Sequence, residues 1–469
     1  MREFDAIVIG AGMSGLAAAI RLGMYEKKVC LLEKHTITGG LNSYYSRGKR
    51  RLDVGLHALT NYMEKGERGK PLAKLLKQLR LPYDSLELSP QKQSRILFPE
   101  KELVFTNDIE FLTEEIAKNF PTQVDGFLKL LTKVREFDEV NLDNEFLPAK
   151  DVVRHFIQDE MLLEMIFCPL LIYGSALEDD MDFSQFVIMF KSLYLEGFGR
   201  PEGGVRRILN LLEGKLKELG VEIEFKKSVT EILTQNNIVT GVKLESGEVI
   251  HAPLVFSSMG LPETLNKVFP AIHHQTPIGR MSFTETLYFF SQKPADMGLN
   301  DTIIFANQAP QYAYRRPDSL FQKESAVICL PNNFTHDDQS EGVIRLTHIA
   351  NYDAWKALEK TEYKAQKENL HNYDFDYLNQ LIQRLAPAKN AVQKTDLAFK
   401  DLFTPTTVER YTWHLGGCVY GSPEKTRRGL TPIKNLIIIG TDQGFLGIVG
   451  AMLSGISMAN LYGLQGETV

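Results

Sequence analysis

A chain of 469 residues, 43% of them hydrophobic, is long enough to bury a large core and to form two or three domains. Its formal net charge of −6 gives no general electrostatic case for nucleic acid as a partner. The four cysteines (Cys30, Cys168, Cys329, Cys418) are far apart and form no C-x-x-C, which argues against a disulfide framework, a dithiol redox motif or a zinc site and suits a reducing compartment. The first strand is expected by Phe4, leaving no room for a signal peptide ahead of it. The run Met165–Leu177, read as the longest apolar stretch without a charge, is broken by Pro169 and Gly174 and is too short to span a bilayer. These features predict a soluble, cytoplasmic, globular protein without a metal centre.

The first element is the charge-free run Ala6–Ile9, the pattern of a parallel strand buried on both faces. Gly10-Ala11-Gly12-Met13-Ser14-Gly15 then fits G-x-G-x-x-G, and the alanine-rich stretch Leu16–Arg21 predicts a helix. Such a turn allows backbone to approach a pyrophosphate, and the helix N-terminus supplies free N–H groups and partial positive charge. A second strand ends at Glu33, 23 residues after Gly10, where an acid can accept both hydroxyls of an adenosine ribose. Both NAD and FAD are held by this kind of unit.

Six residues past Glu33 comes the pair Gly39-Gly40, a second place for close backbone approach to a ligand. Tyr44–Ser46 and Arg51–Val54 flank a turn and predict a hairpin. Its basic tip (Arg47, Lys49, Arg50, Arg51) reads as a solvated face or as a contact for anionic lipid head groups. Gly10 to Gly40, continued by "SYYSRGKRRLDVGLH", resembles the FAD-binding start of the amine oxidase and phytoene desaturase superfamily. The resemblance implies FAD ahead of NAD, and cofactor contacts from Gly10, Gly12, Met13, Ser14 and Gly15, from Glu33 and Lys34, and from Gly39, Gly40, Leu41 and Asn42.

Farther on, Asn61–Phe198 reads as mostly amphipathic helix, including Pro71–Leu81 and Ile109–Val140. Val205, Ile208, Leu209, Leu212, Leu216 and Leu219 form one helical stripe closed by Gly220. Strands are expected at Val221–Phe225, Val229–Leu233, Ile238–Leu244 and Val249–Ile250, then a buried return strand at Leu254–Ser257. This order is similar to the second FAD-binding segment of the same superfamily, which implies adenine contact near Val229 and dinucleotide contact near Ser257 and Met259. The region Leu261–Lys400 alternates strands (Met281–Ser291, Ser325–Leu330, Gly342–Ala350) with helical pattern between Glu359 and Leu385, a sheet whose face could line an apolar pocket.

The last motif, "NLIIIGTDQGFLGIVGAMLSG", is again a buried strand, a glycine turn and a helix. By resemblance it is the final FAD segment. Gly440, Thr441 and Asp442 would lie at the ribityl chain, and Gly447, Ile448 and Val449 at the flavin's pyrimidine edge. The wording Gly440-Thr441-Asp442-Gln443, with "VERYTWHLGGCVYGSPEKTRRGLTPIKNL" before it, is similar to the phytoene desaturase, carotenoid isomerase and retinol saturase branch. The implied architecture is α/β: a Rossmann-like FAD-binding domain of the GR2 type (1–60, 199–260, 408–469) with an interleaved α+β substrate domain (61–198, 261–407).

The implied activity is that of an FAD-dependent oxidoreductase on an apolar polyene or isoprenoid lipid: desaturation, saturation or isomerisation by hydride transfer at flavin N5. Candidates for a protonatable group beside the substrate are His57, Arg410 and His414. Tyr411, Trp413 and Tyr420 could pack on the substrate, and Asp53 is expected to organise the hairpin. The same fold also serves flavin amine oxidases and the prenyl-binding Rab GDP-dissociation inhibitors, which bind without flavin. An apolar substrate drawn from a membrane implies peripheral contact with lipid.

Overall fold

The computed structural model describes residues 2–55, 57–268, 276–337 and 339–466. Strand β1 (Ala6–Ile9), helix α1 (Met13–Gly23) and strand β2 (Val29–Glu33) form the opening unit. Helix α2 (Val205–Glu218), β3 (Ile223–Phe225), β4 (Val255–Ser257), β5 (Leu436–Ile438) and helix α3 (Gly447–Met458) complete it from distant parts of the chain. The five strands make one parallel sheet in the order β3-β2-β1-β4-β5, with Val255 between Ile7 and Leu436.

Why these strands are apolar without alternation follows from what covers them. One face (Val8, Leu31, Phe256, Ile437) packs under α1, α2, α3 and the helix Pro71–Leu79. The other (Ile7, Ile9, Cys30, Leu32, Val255) packs against a small sheet through Val229, Ile232, Val242 and Ile250. A sheet covered twice has no polar face. The small sheet is Val229–Gln235, Ile238–Leu244 and Val249–His251, joined by Arg2–Glu3 in parallel.

A second, seven-stranded sheet runs Leu397–Phe403, Ser282–Phe290, Gly342–Ala350, Ser325–Cys329, Ile303–Asn307, Ser94–Leu97, Glu102–Phe105. Tyr288, Phe290, Ile344 and Leu346 point to one face, under Phe375, Leu378 and Ile382 of the helix Lys360–Leu385. Phe283, Phe305, Val327 and Ile349 point to the other, towards helices drawn from 109–190.

Three expectations change. The stretch Ile109–Val140 is two helices, Ile109–Asn119 and Val124–Glu136, because Phe120 leaves helical geometry and Pro121 starts a tighter turn. Pro169 does not stop its helix, which runs from Glu160 to Gly174 and is buried almost all round. The apolar run of greatest length is at the other end: among the described residues Gly447–Leu464 is the one helical stretch long and apolar enough to cross a bilayer. It is half buried and lies along α1 as a core helix.

That packing is close. A methyl group on Gly455 of α3 would sit 2.1 Å from the Ser14 carbonyl oxygen of α1. Gly455→Ala should therefore force the helices apart and cost about 1–3 kcal/mol. Gly214, exposed in α2 with nothing within 4 Å of an added methyl, should behave oppositely, Gly214→Ala gaining about 0.5–1 kcal/mol. Thermal unfolding of the two variants checks both signs.

Candidate active site

The first glycine turn is shaped from within. A methyl on Gly15 would lie 1.9 Å from the Gly10 carbonyl oxygen, so strand and helix can approach this closely only with glycine there. At Gly12 the same methyl would meet nothing within 4 Å, because that position opens onto a cavity. Helix α1 starts behind Gly12 with no side-chain cap and no acid in its first turn, leaving its N-terminus suited to an anion. Glu33 braces this turn: its carboxylate accepts from the backbone N–H groups of Ala11 and His35, both at 2.8 Å. Gly39 donates to the Ala11 carbonyl at 2.9 Å and ties the Gly-Gly pair to the same turn. Lys34 stands over the Trp413 ring, 4.1 Å from its centre.

The last glycine turn lies against the first. An added methyl on Gly440 would be 2.8 Å from Ser14 Oγ, and Gly440 N–H donates to Ser454 Oγ at 2.7 Å. Asp442, expected on the ribityl chain, is buried with its oxygens engaged by protein. It accepts from Leu261 N–H at 2.6 Å, from Ser422 N–H at 2.8 Å and from Lys425 Nζ at 3.3 Å. Its observed work is to hold three segments together behind the turn. Helix α3 begins at Gly447, again with no side-chain cap and no acid in its first turn.

Both turns open into one cavity of about 1000 Å3. Gly12, Met13, Ser14, Gly39, Gly40, Leu41 and Asn42 line it from the start of the chain, and Gly440, Thr441, Gly447, Ile448 and Val449 from the end. His57 and His414 are also in its wall. Val229 and Ser257 are not. Val229 is buried between the two sheets, and Ser257 Oγ pairs with Thr264 Oγ1 at 2.7 Å in the core. Met259 packs beside the same core, while its neighbours Ser258 and Gly260 reach the cavity. Arg410 is corrected outright. It is exposed, packs 5.5 Å from the Tyr411 ring centre and forms no part of the cavity wall. Tyr411 is also exposed, whereas Tyr420 lines the cavity.

Beyond the glycine turns one stretch of the wall is apolar (Ile172, Tyr173, Met189, Phe283, Val327, Val419) with His57 and Glu285 set beside it, while Lys70, Lys74, Glu139, Lys191, Glu196 and His414 line other parts. His57 Nε2 is 2.9 Å from Glu285 Oε1, and Arg345 Nε donates to that same oxygen. Arg345 Nη2 also donates to the Val54 carbonyl at 2.9 Å, which fixes the strand leading to His57. Burial pushes the Glu285 carboxyl up, but Arg345 and His57 outweigh it and hold the group below the usual carboxylate range. Close by, the Tyr173 hydroxyl is buried without a hydrogen-bond partner, and its ring meets His57 edge-on with centroids 6.4 Å apart. His414, 3.7 Å from Glu263, is lowered by burial yet raised more by Cys418 and Glu263, to about 10, so that it carries positive charge at neutral pH.

Sequence reasoning missed Glu285 and Arg345. The signal was present: each is the one charge inside a nine-residue strand that is buried throughout. Neither charge is tolerable alone in such a strand, and the register puts Glu285 opposite Thr347, diagonal to Arg345. Glu285→Gln should leave the Arg345 guanidinium buried without its countercharge and destabilise the fold by about 3–5 kcal/mol, measurable by denaturant unfolding. Removing both charges together (Glu285→Leu with Arg345→Met) should cost less than the single change.

Residues 8–79 match the NAD(P)-binding Rossmann-like domain family. The chain is 25% identical to the chloroplastic prolycopene isomerase of Daucus carota, over 98% of this chain and 80% of that protein. It is 23% identical to the all-trans-retinol 13,14-reductase of Danio rerio, over 98% of this chain and 86% of that one. In structure it resembles an oxidoreductase from Methanosarcina mazei with a TM-score of 0.66 and 17% identity, covering 96% of this chain and 99% of the other. The two joined glycine turns, the Rossmann-like sheet that carries them and these likenesses fit the resemblance of the chain to the amine oxidase and phytoene desaturase superfamily and, within it, to the desaturase, carotenoid isomerase and retinol saturase branch.

Proposed function

We propose that the protein is an FAD-dependent oxidoreductase that desaturates, saturates or isomerises an apolar polyene or isoprenoid lipid. The observation that carries this reading is the single cavity shared by both glycine turns, in which an apolar stretch (Ile172, Tyr173, Met189, Phe283, Val327, Val419) lies beside the His57–Glu285 pair. In this reading 1–60, 199–260 and 408–469 hold the nucleotide, and 61–198 with 261–407 hold the substrate. FAD fits the donor set, with two uncapped helix N-termini for its phosphates and flavin edge and open space at Gly12. When bound, it supplies hydride acceptance or donation at N5.

The chain's own residues do the rest. Tyr173, Phe283, Val327 and Tyr420 exclude water and seat an extended hydrocarbon. The His57–Glu285 pair can hold or release a proton beside the substrate, with Arg345 fixing the carboxylate. His414 places positive charge in the wall on the side of the last glycine turn. At the cavity mouth Val140 and Leu142 are exposed, as are Phe146 and Leu147 farther along, with Asp143 and Glu145 between them; these four apolar side chains support a peripheral seat on a membrane for a protein read as cytoplasmic.

The purified protein should be yellow and release FAD on denaturation. Its flavin, reduced without oxygen, should exchange electrons with a carotenoid or retinoid in detergent and not with a primary amine. An amine-driven reaction with no polyene response would overturn the reading. His57→Phe should keep the flavin and lower kcat/KM for the polyene by about 10²-fold or more. Liposome co-sedimentation should fall when Phe146 and Leu147 are replaced by serine, and unchanged sedimentation would remove this stretch from any membrane contact.

A further inference from the structure

The basic hairpin tip takes no part in the nucleotide cavity. Its strands Tyr44–Arg47 and Arg50–Asp53 pair antiparallel, and the second runs on to Val54 and Gly55 in the cavity wall. Beside the hairpin opens a second cavity of about 610 Å3. Its wall carries Lys49, Arg50, Arg51, Arg200 and Arg206 against two carboxylates, Asp53 and Glu341.

Among the described residues these charges are not balanced. Arg50 makes two hydrogen bonds to Glu341, at 2.8 and 2.7 Å. Asp53 is shared by Arg200 at 3.1 Å and Arg206 at 3.6 Å. Lys49 and Arg51 are exposed, and among the described residues neither forms an ion pair.

Arg200 is 7% exposed and gives Nη2 to Asp53. With Arg206 it sets two guanidinium groups in the cavity wall, and an oxyanion is the natural partner of such a pair. The first turn of α2 holds no acid and brings Arg206 to the positive end of a helix, while Arg207 is paired with Glu87 at 2.7 Å. Asp53 also reaches the Val205 N–H at 3.4 Å, so this one carboxylate serves Arg200, Arg206 and the helix N-terminus.

We propose that this second cavity is a binding site for a phosphate-bearing anion, separate from the nucleotide cleft. Arg200 and Arg206 form its inner end, Lys49 and Arg51 its outer end, and Phe289 with Val343 offers an apolar side to the rest of the ligand. The anion's source is either a soluble diphosphate or a lipid head group, since both present the same oxygens.

The test uses the full-length, flavin-loaded protein, so that the nucleotide cleft is already filled and cannot take the probe. Inorganic pyrophosphate is titrated by calorimetry, and vesicles of phosphatidylcholine with or without phosphatidate are tested by sedimentation. The expected result is saturable binding of pyrophosphate, or selective binding of phosphatidate vesicles, weakened about tenfold or more in the Lys49→Gln, Arg51→Gln double variant and by added salt. Both replaced residues are exposed, so the variant should fold, and Arg200→Met provides a second variant at the inner end. Phosphatidate vesicles that displace pyrophosphate assign the head group. Pyrophosphate binding without vesicle binding assigns a soluble ligand. If neither probe binds, or both variants bind as the wild type does, the proposal is wrong. None of these readouts depends on turnover at the flavin.

Discussion

The close contact between the first and last helices is the constraint on which the site depends. Gly455 and Gly440 bring the end of the chain onto Ser14 at its beginning, with no room for a side chain between α3 and the α1 backbone. Two helix N-termini, 434 positions apart at Met13 and Gly447, therefore open on one cavity. Partial positive charge at both can serve a single elongated anion-bearing ligand, and neither end would make such a site alone. Glu33 and Asp442 support this from behind, each using its carboxylate on backbone N–H groups of the turns and the segments behind them.

A second constraint governs the far wall. A carboxylate and a guanidinium in the middle of buried strands must be paired, and Glu285 with Arg345 is so paired. The pair does more than satisfy itself. Arg345 grips the Val54 carbonyl and Glu285 the His57 ring, which locks the segment after the hairpin to the large sheet. The same strand that ends in the cavity begins at the basic hairpin, and Asp53 stands between the two, bonded to Arg200. The walls of the two cavities thus share one continuous stretch of chain, from Lys49 to Gly55.

How much of this was legible in the sequence depends on how local each cause is. The glycine spacing, the apolar runs and the terminal Glu33 lie within one stretch, so the strand–turn–helix–strand unit could be read directly; at Gly440–Val449 the strand, turn and helix were legible, but their role came only from the resemblance. Ser257 and Met259 illustrate the limit. Strand β4 carries Ser257 into the core, and chain direction then turns Ser258 and Gly260 to the cavity, a matter of one residue that pattern does not resolve. Arg410 precedes the last strand in sequence, but its helix Pro405–Thr412 turns it to solvent. Glu285 escapes such reasoning because its meaning lies in partners 228 and 60 positions away, which only sheet register brings together. Asp442 has its significance in the same kind of distant contact, with Leu261 and Ser422 rather than with its neighbours in sequence.

The central claim is that both chain ends grip the same flavin nucleotide, and amide hydrogen exchange measured with the flavin bound and after its removal tests it most directly. The account predicts that the backbone amides of 12–15 and of 447–450 lose protection together when the flavin leaves. Loss at the first glycine turn with no change at the last would contradict it.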